Sequence, residues 1–484
     1  MTLLVPVVLP VLGALVHLVF GWRRATAWVS ALGSGLLLAA AVVLAVHVTR
    51  AGPQTAVAGL LRADALSAFM LLVIATVAVL ATAATPAYLR AEITAGRATA
   101  RTGARHSLLV QLFLAAMALA VLAANLGVVW VAIEATTIVT AFLVGQRRTR
   151  AAIEAAWKYV VICSTGIALA LMGAVVLNFA SANAPGAAGL DLAALAAGAH
   201  GLDAGVTRIA VVLLILGFGT KAGLAPLHAW LPDAHSQAPA PVSALMSGVL
   251  LSVAFYAILR VKVIADGALG AGFARTLLIV MALASLILAA SLLIGIRDYK
   301  RMLAYSSIEH LGLVAFGAAI GSPLALAAAL LHVLGHGLAK AVLFLGAGQV
   351  LQLTGTTRVD GVRGLMARHP VLAGTVGLGV LALVGLPPFS LFASELGIAR
   401  AGFAAGLAWP TIVALALVLV IAAALVTHAS RMLLGTAPAG APPAASPTPV
   451  ALLAGLLACA ALGIAAGPLP VLLDSATHVL VVTR

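Results

Sequence analysis

Residues 217–226 read Gly217-Phe218-Gly219-Thr220-Lys221-Ala222-Gly223-Leu224-Ala225-Pro226. They lie inside 207–231, an apolar run long enough to cross about 30 Å of hydrocarbon. Three glycines and a proline in ten residues mark a helix break at membrane depth. Broken helices are tolerated there only against protein or beside a water-filled cavity. A lysine at such a break is a candidate functional group. The competing reading is an ammonium that snorkels to the interface, for which the position is deep.

The rest of the chain has the composition such a segment needs. It has 484 residues, 63% hydrophobic and only 8% charged, with a mean hydropathy of +1.19. A soluble domain carries roughly 25% charge, so this chain cannot solvate a globular surface. Its net charge of +14 is not joined by a basic patch interleaved with aromatics, so nucleic acid is not an expected partner. Cationic loops facing an anionic leaflet explain the charge. Cys163 and Cys459 both lie in apolar runs and offer neither a disulfide framework nor a CxxC metal site.

Fourteen apolar segments are expected to span: 3–21, 25–47, 64–89, 107–124, 126–146, 155–180, 207–231, 241–264, 276–296, 302–320, 324–352, 371–396, 408–432 and 449–467. The first is not read as a cleaved signal, because Arg23 and Arg24 follow its apolar run instead of preceding it. Sixteen basic residues fall in odd-numbered loops, among them Arg101, Arg147, Lys300 and Arg358. Six fall in even-numbered loops or at the C-terminus. That places the odd loops in the cytoplasm and both termini outside the inner (plasma) membrane. Segment 433–448, rich in Pro and Ala, reads as a flexible connection. No extramembrane stretch is large enough for a soluble domain, so the chain is expected to hold no cofactor of its own.

Ionisable residues inside spans cost about 3 kcal/mol each at mid-depth and default to functional hypotheses. Glu134 sits about eight residues into its span. It is a carrier, or a protonated carboxyl held by Thr136 and Thr137. His332, His336 and Lys340 recur at i, i+4 and i+8, one helix face over about 12 Å. A proton relay fits that stripe best. A metal pair is the alternative, though no Asp or Glu lies in that helix, and haem ligation or plain packing are others. Glu395 follows a second break, Gly385-Leu386-Pro387-Pro388-Phe389-Ser390-Leu391-Phe392-Ala393-Ser394. Glu309 and His310 lie two turns into their span, where Glu309 could instead neutralise the Arg297, Lys300, Arg301 loop. Lys158 lies near enough to its span's start to reach the interface. His228, His235 and Asp233 flank the first break, with a solvated loop face as the alternative.

The two breaks lie five spans apart. An odd number of helices per repeat inverts topology, as in many transporters. The expected organisation is therefore 1–106 (three N-terminal helices), 107–264 (a first five-helix repeat), 265–432 (its inverted copy) and 433–484 (a linker and last helix).

The stretch Gly219-Thr220-Lys221-Ala222-Gly223-Leu224-Ala225-Pro226-Leu227-His228-Ala229-Trp230-Leu231-Pro232-Asp233-Ala234-His235-Ser236-Gln237-Ala238-Pro239 resembles the signature of the proton-pumping membrane subunits of respiratory complex I. Multisubunit Na+/H+ antiporters and membrane-bound nickel–iron hydrogenases share that module. Trp130-Val131-Ala132-Ile133-Glu134-Ala135-Thr136-Thr137, Glu154-Ala155-Ala156-Trp157-Lys158-Tyr159, Thr220-Lys221-Ala222-Gly223-Leu224-Ala225 and Leu386-Pro387-Pro388-Phe389 make the chain most similar to the F subunit of hydrogenase-4 and formate hydrogenlyase-type complexes. The resemblance implies that Glu134 pairs with Lys221. It also implies a relay through His310, His336 and Lys340, with a terminal proton site at Glu395. The function implied is proton translocation coupled to redox chemistry on partner chains: hydrogenase-like large and small subunits, iron–sulfur proteins and further membrane subunits. A subunit of a cation/proton antiporter is the alternative. Two departures stand out. Complex I subunits often carry a lysine midway along the eighth helix, where this chain offers Ser243, Ser247 and Ser252, with Lys262 only at the end. The long lateral C-terminal helix of the distal complex I subunit is not found.

If Glu134 and Lys221 act as a unit, Glu134→Gln or Lys221→Met abolishes proton translocation, and the double replacement restores assembly better than function. A double-mutant cycle on assembly and on pumping in vesicles checks this; additive effects in both assays contradict it.

Overall fold

The computed structural model describes residues 2–186, 188–436, 450–465, 467 and 469–481. The helices are α1 (Val5–Phe20), α2 (Val29–Ala51), α3 (Ala65–Thr94), α4 (Ala100–Leu122), α5 (Leu126–Val144), α6 (Arg150–Ala182), α7 (Leu192–Ala197), α8 (Ala204–Ala222), α9 (Trp230–Gln237), α10 (Ala240–Leu245), α11 (Leu251–Leu269), α12 (Ala271–Ile294), α13 (Tyr299–Ile320), α14 (Pro323–Thr354), α15 (Leu365–Arg368), α16 (Pro370–Leu383), α17 (Ser390–Ala404), α18 (Ala408–Leu433), α19 (Val450–Ile464) and α20 (Leu469–Leu480). A π-helical turn, Met246–Leu250, joins α10 to α11. Two three-residue strands, β1 (Gln54–Ala56) and β2 (Leu61–Ala63), form a small antiparallel hairpin with Thr55 opposite Arg62.

The chain is an all-helical, multi-pass membrane protein. Among the described residues eleven helical stretches are long and apolar enough to cross a bilayer, or twelve if α19 and α20 count as one bent span. Helices α1 and α16 are apolar but shorter. Expected connection 433–448 lies largely outside the described residues, as does Arg484.

Helix starts follow the sequence closely, because an unpaired backbone N–H is costly in lipid. Asp64, Thr99, Asn125, Thr149, Asp203, Asp298 and Ser322 each accept a hydrogen bond from a first-turn backbone N–H. Helices α3, α10–α11, α13 and α14 form the interior, while α1, α2, α6 and α18 turn apolar side chains such as Leu18, Val43, Trp157 and Leu419 outward. Close approach is set by small residues. A Cβ on Gly217 of α8 would come within 2.6 Å of the Gly166 carbonyl oxygen in α6.

Both breaks are present. Helix α8 stops at Ala222, and Gly223 turns the chain at φ +79°. A Cβ there would lie 2.4 Å from the movable Leu231 Cδ1, so it is the backbone conformation that demands glycine. Trp230 Nε1 donates to the Thr220 carbonyl (2.9 Å), and the Ala225 N–H donates to Ser285 Oγ (2.9 Å). Backbone freed by the break is thus partnered by side chains. In the second break α16 ends at Leu383, Gly385 takes φ +68°, and α17 begins at Ser390. A Cβ on Gly385 would meet Glu395 Oε2 at 2.3 Å, so the carboxyl rests on the broken backbone.

Two sequence readings are corrected. The segment after the first break is helix α9, and Trp230 and His235 are fully buried, so the solvated-loop alternative fails for His235. Lys300 is not a loop charge either. It is buried, and its Nζ donates to the Ser236 and Ala238 carbonyls, both at 2.8 Å. The carbonyls left open where α9 ends give that ammonium its partners.

Gly223→Ala places an L-residue in the left-handed region, at roughly 1–2 kcal/mol, and adds a clash with Leu231. The purified protein in detergent is expected to melt several degrees lower. Unchanged melting would contradict this account of the break.

Candidate functional site

The first cluster is built on α5, α6 and α8. Lys221 is fully buried, and its Nζ donates to Thr137 Oγ1 (2.8 Å) and Tyr159 OH (2.5 Å). Tyr159 OH also lies 2.5 Å from Thr140 Oγ1. Glu134 does not meet Lys221 in an ion pair. Its Oε1 accepts from Ser164 Oγ at 3.2 Å, and its Oε2 has no partner among the described residues. Glu134 and Thr137 lie one turn apart on α5, on one face. The expected direct pair is thus displaced by one turn: the ammonium meets the hydroxyl beside the carboxylate. Glu134 is half-buried and lines a groove of about 1200 Å3 together with Thr137, Ser164, Arg101, Arg105 and Arg148.

The second cluster is built on α13, α14 and α17. Lys340 Nζ donates to the Leu303 carbonyl (2.6 Å) and to Ser306 Oγ (2.5 Å). The His310 ring lies 5.0 Å from that of His336. His310 Nδ1 is 2.9 Å from His332 Nε2, and His332 Nδ1 is 2.9 Å from Ser394 Oγ. Glu395 follows Ser394 at the second break. His310, His332, His336 and Lys340 are at most 1% exposed. Glu309 is also buried and forms no ion pair with Arg297, Lys300 or Arg301; its Oε2 is without a partner among the described residues.

Between the clusters lies His235. Tyr159 packs edge-on against Trp230 (ring centroids 5.0 Å apart), Trp230 lies 6.4 Å from His235, and His235 stacks on Phe344 of α14 at 5.2 Å. Both His235 ring nitrogens lack partners among the described residues. Ser243 Oγ donates to the His235 carbonyl (3.0 Å), and Ser247 Oγ lies 2.7 Å from Ser307 Oγ. Ser252 Oγ is buried without a partner among the described residues. The middle of the molecule therefore holds an imidazole and hydroxyls, and the His235 ring makes no hydrogen bond to either cluster among the described residues.

Two expected residues lie apart. Lys158 is about half exposed and pairs with Glu154 (2.8 Å) and Asp233 (3.0 Å), in a surface cluster that also holds Arg301. His228 is half-buried beside the first break. Lys262 pairs with Asp266. Sequence reasoning missed Tyr159 and Ser394, although each adjoins a residue it did single out. It also missed a buried pair tying α11 to the start of α3, in which Arg260 donates to Asp64 Oδ1 (2.7 Å).

Chemically, this is a row of exchangeable-proton groups in an apolar bundle. Residues 123–425 match the family model described as NADH:quinone oxidoreductase/Mrp antiporter, transmembrane. The chain belongs to that family. It is 41% identical over 320 residues to a "Hydrogenase-4 component F homolog" of Methylacidiphilum infernorum, a match covering 66% of this chain and 67% of that one. It is also 41% identical over 207 residues to the "NADH-quinone oxidoreductase subunit N" of Desulforudis audaxviator, covering 42% of this chain and 41% of that protein. The fold is that of a chain in the Mrp complex of Dietzia sp., with a TM-score of 0.87 at 23% identity, over 99% of this chain and 97% of the other.

Tyr159→Phe removes the hydroxyl that holds Lys221 and leaves the ring packed on Trp230. Losing a hydrogen bond to a charged group costs about 2 kcal/mol. Thermal unfolding is expected to register that loss, and proton transport to fall, with the complex still assembled. Transport at the parental rate would remove Tyr159 from the site.

Proposed function

We propose that this chain is the proton-translocating membrane subunit of a multisubunit hydrogenase-4-like or NADH-quinone oxidoreductase-like complex. Redox chemistry on partner subunits would drive protons through it. One observation carries the reading: two fully buried lysines, Lys221 and Lys340, are held by hydroxyls and carbonyls, and His235 lies between them, with all three in the bundle interior. Ionisable groups at such depth are functional candidates by default. From Lys340 the row continues through His336, His310 and His332 to Ser394 and Glu395. Family membership supports the same reading.

The full architecture proposed is fourteen membrane helices with two inverted five-helix units. Helices α4, α5, α6, α8–α9 and α10–α11 make the first; α12, α13, α14, α16–α17 and α18 make the second. Supporting this, each unit contributes one broken helix at the same ordinal place. The basic loops support a plasma-membrane protein with both termini outside. Peripheral hydrogenase-like and iron–sulfur subunits are proposed partners, since the described extramembrane segments are too short to hold redox centres.

The test is to purify the complex natively, identify its chains, and measure acidification of inverted vesicles on adding reductant. Reductant-driven acidification that is lost in His336→Ala, with assembly retained, is the expected result. Co-purification of antiporter small subunits alone, with cation-dependent and reductant-independent proton movement, would overturn the redox coupling.

A further inference from the structure

The stripe His332, His336, Lys340 lacks a carboxylate on its own helix, which weakens a metal site as read from sequence. The fold supplies one from α17. His310, His332 and Glu395 each offer a ligand atom, and those three atoms lie within 4.8 Å of one another. We propose that these residues form a binding site for a divalent transition-metal ion, with Zn2+ the ion of best-matched chemistry.

Two histidines and a glutamate, with a fourth position left to water, is an established donor set for zinc. A tetrahedral ion with bonds of ~2.0–2.1 Å separates its ligand atoms by ~3.3 Å. The two imidazole nitrogens that face each other at 2.9 Å need only part slightly, while the carboxyl closes in. The surrounding partners favour this. His332 has its other nitrogen on Ser394 Oγ, which fixes the ring and leaves Nε2 to the ion, the outer support that metal-binding histidines ordinarily have. His310 can shift its proton to Nε2, which has no partner among the described residues. Glu395 Oε1 is likewise without a partner among the described residues, and the carboxyl is backed by Gly385. Glu395 is only partly buried, whereas the two histidines are fully buried. A bound ion replaces the His310–His332 contact and so blocks proton transfer there. That consequence rests on the relay proposed above; binding itself does not.

The experiment uses the full chain in lipid nanodiscs with Co2+ as a spectroscopic probe, and needs no transport. One Co2+ per chain, with the intense visible bands of four-coordination, displaced by Zn2+, is expected. Glu395→Gln should weaken binding at least tenfold. Ser394→Ala removes only the support of His332 and should weaken it ~10–100-fold, so the site is still tested if the first variant folds poorly. A six-coordinate spectrum, no saturable binding, or equal affinity in the parent and Ser394→Ala would overturn the site. Binding without inhibition of pumping in vesicles would leave the site standing and contradict the relay.

Discussion

An ammonium buried among apolar helices is held only while oxygen atoms surround it, and Lys221 meets that demand with two hydroxyls. Most of the local architecture follows from this. The helix must stop at Gly223 for the break to form. Trp230 must then fold back to satisfy Thr220, which places it against Tyr159, the partner of the lysine. From Trp230 the short helix α9 carries His235 into the centre of the molecule. Lys300, from the other half, partners the carbonyls at the end of that helix.

The second half meets the same demand differently. Lys340 sits mid-helix on α14, away from the break, and is held by a carbonyl and a serine hydroxyl of α13. The break of this half instead carries Glu395. Each half thus places an ionisable group at a broken helix, a cation in one and a carboxyl in the other. Directly hydrogen-bonded imidazoles occur only in the second half among the described residues.

Much of this was legible in the sequence. The breaks announced themselves through glycine and proline, and the histidine stripe through its i, i+4 spacing. What was not legible depends on contacts between helices distant in sequence. Tyr159 approaches Lys221 across 62 positions, and nothing local to either predicts it. Lys300 reads as a loop charge because it falls between the apolar runs 276–296 and 302–320; only the open carbonyls of α9 explain its burial. The Glu134–Lys221 pairing came from the family resemblance, and the height at which α8 crosses α5, which puts Thr137 on the ammonium, is not written in either stretch.

The central claim is that one continuous, hydratable row of groups links Glu134 to Glu395. Determining the assembled complex by electron cryo-microscopy at a resolution that shows ordered water tests it most directly. The account predicts waters beside the unpartnered atoms of Glu134, His235, Ser252 and His336, joining the two lysine clusters within hydrogen-bonding distance. A dry, apolar gap around His235, in complexes trapped both with and without reductant, would contradict it.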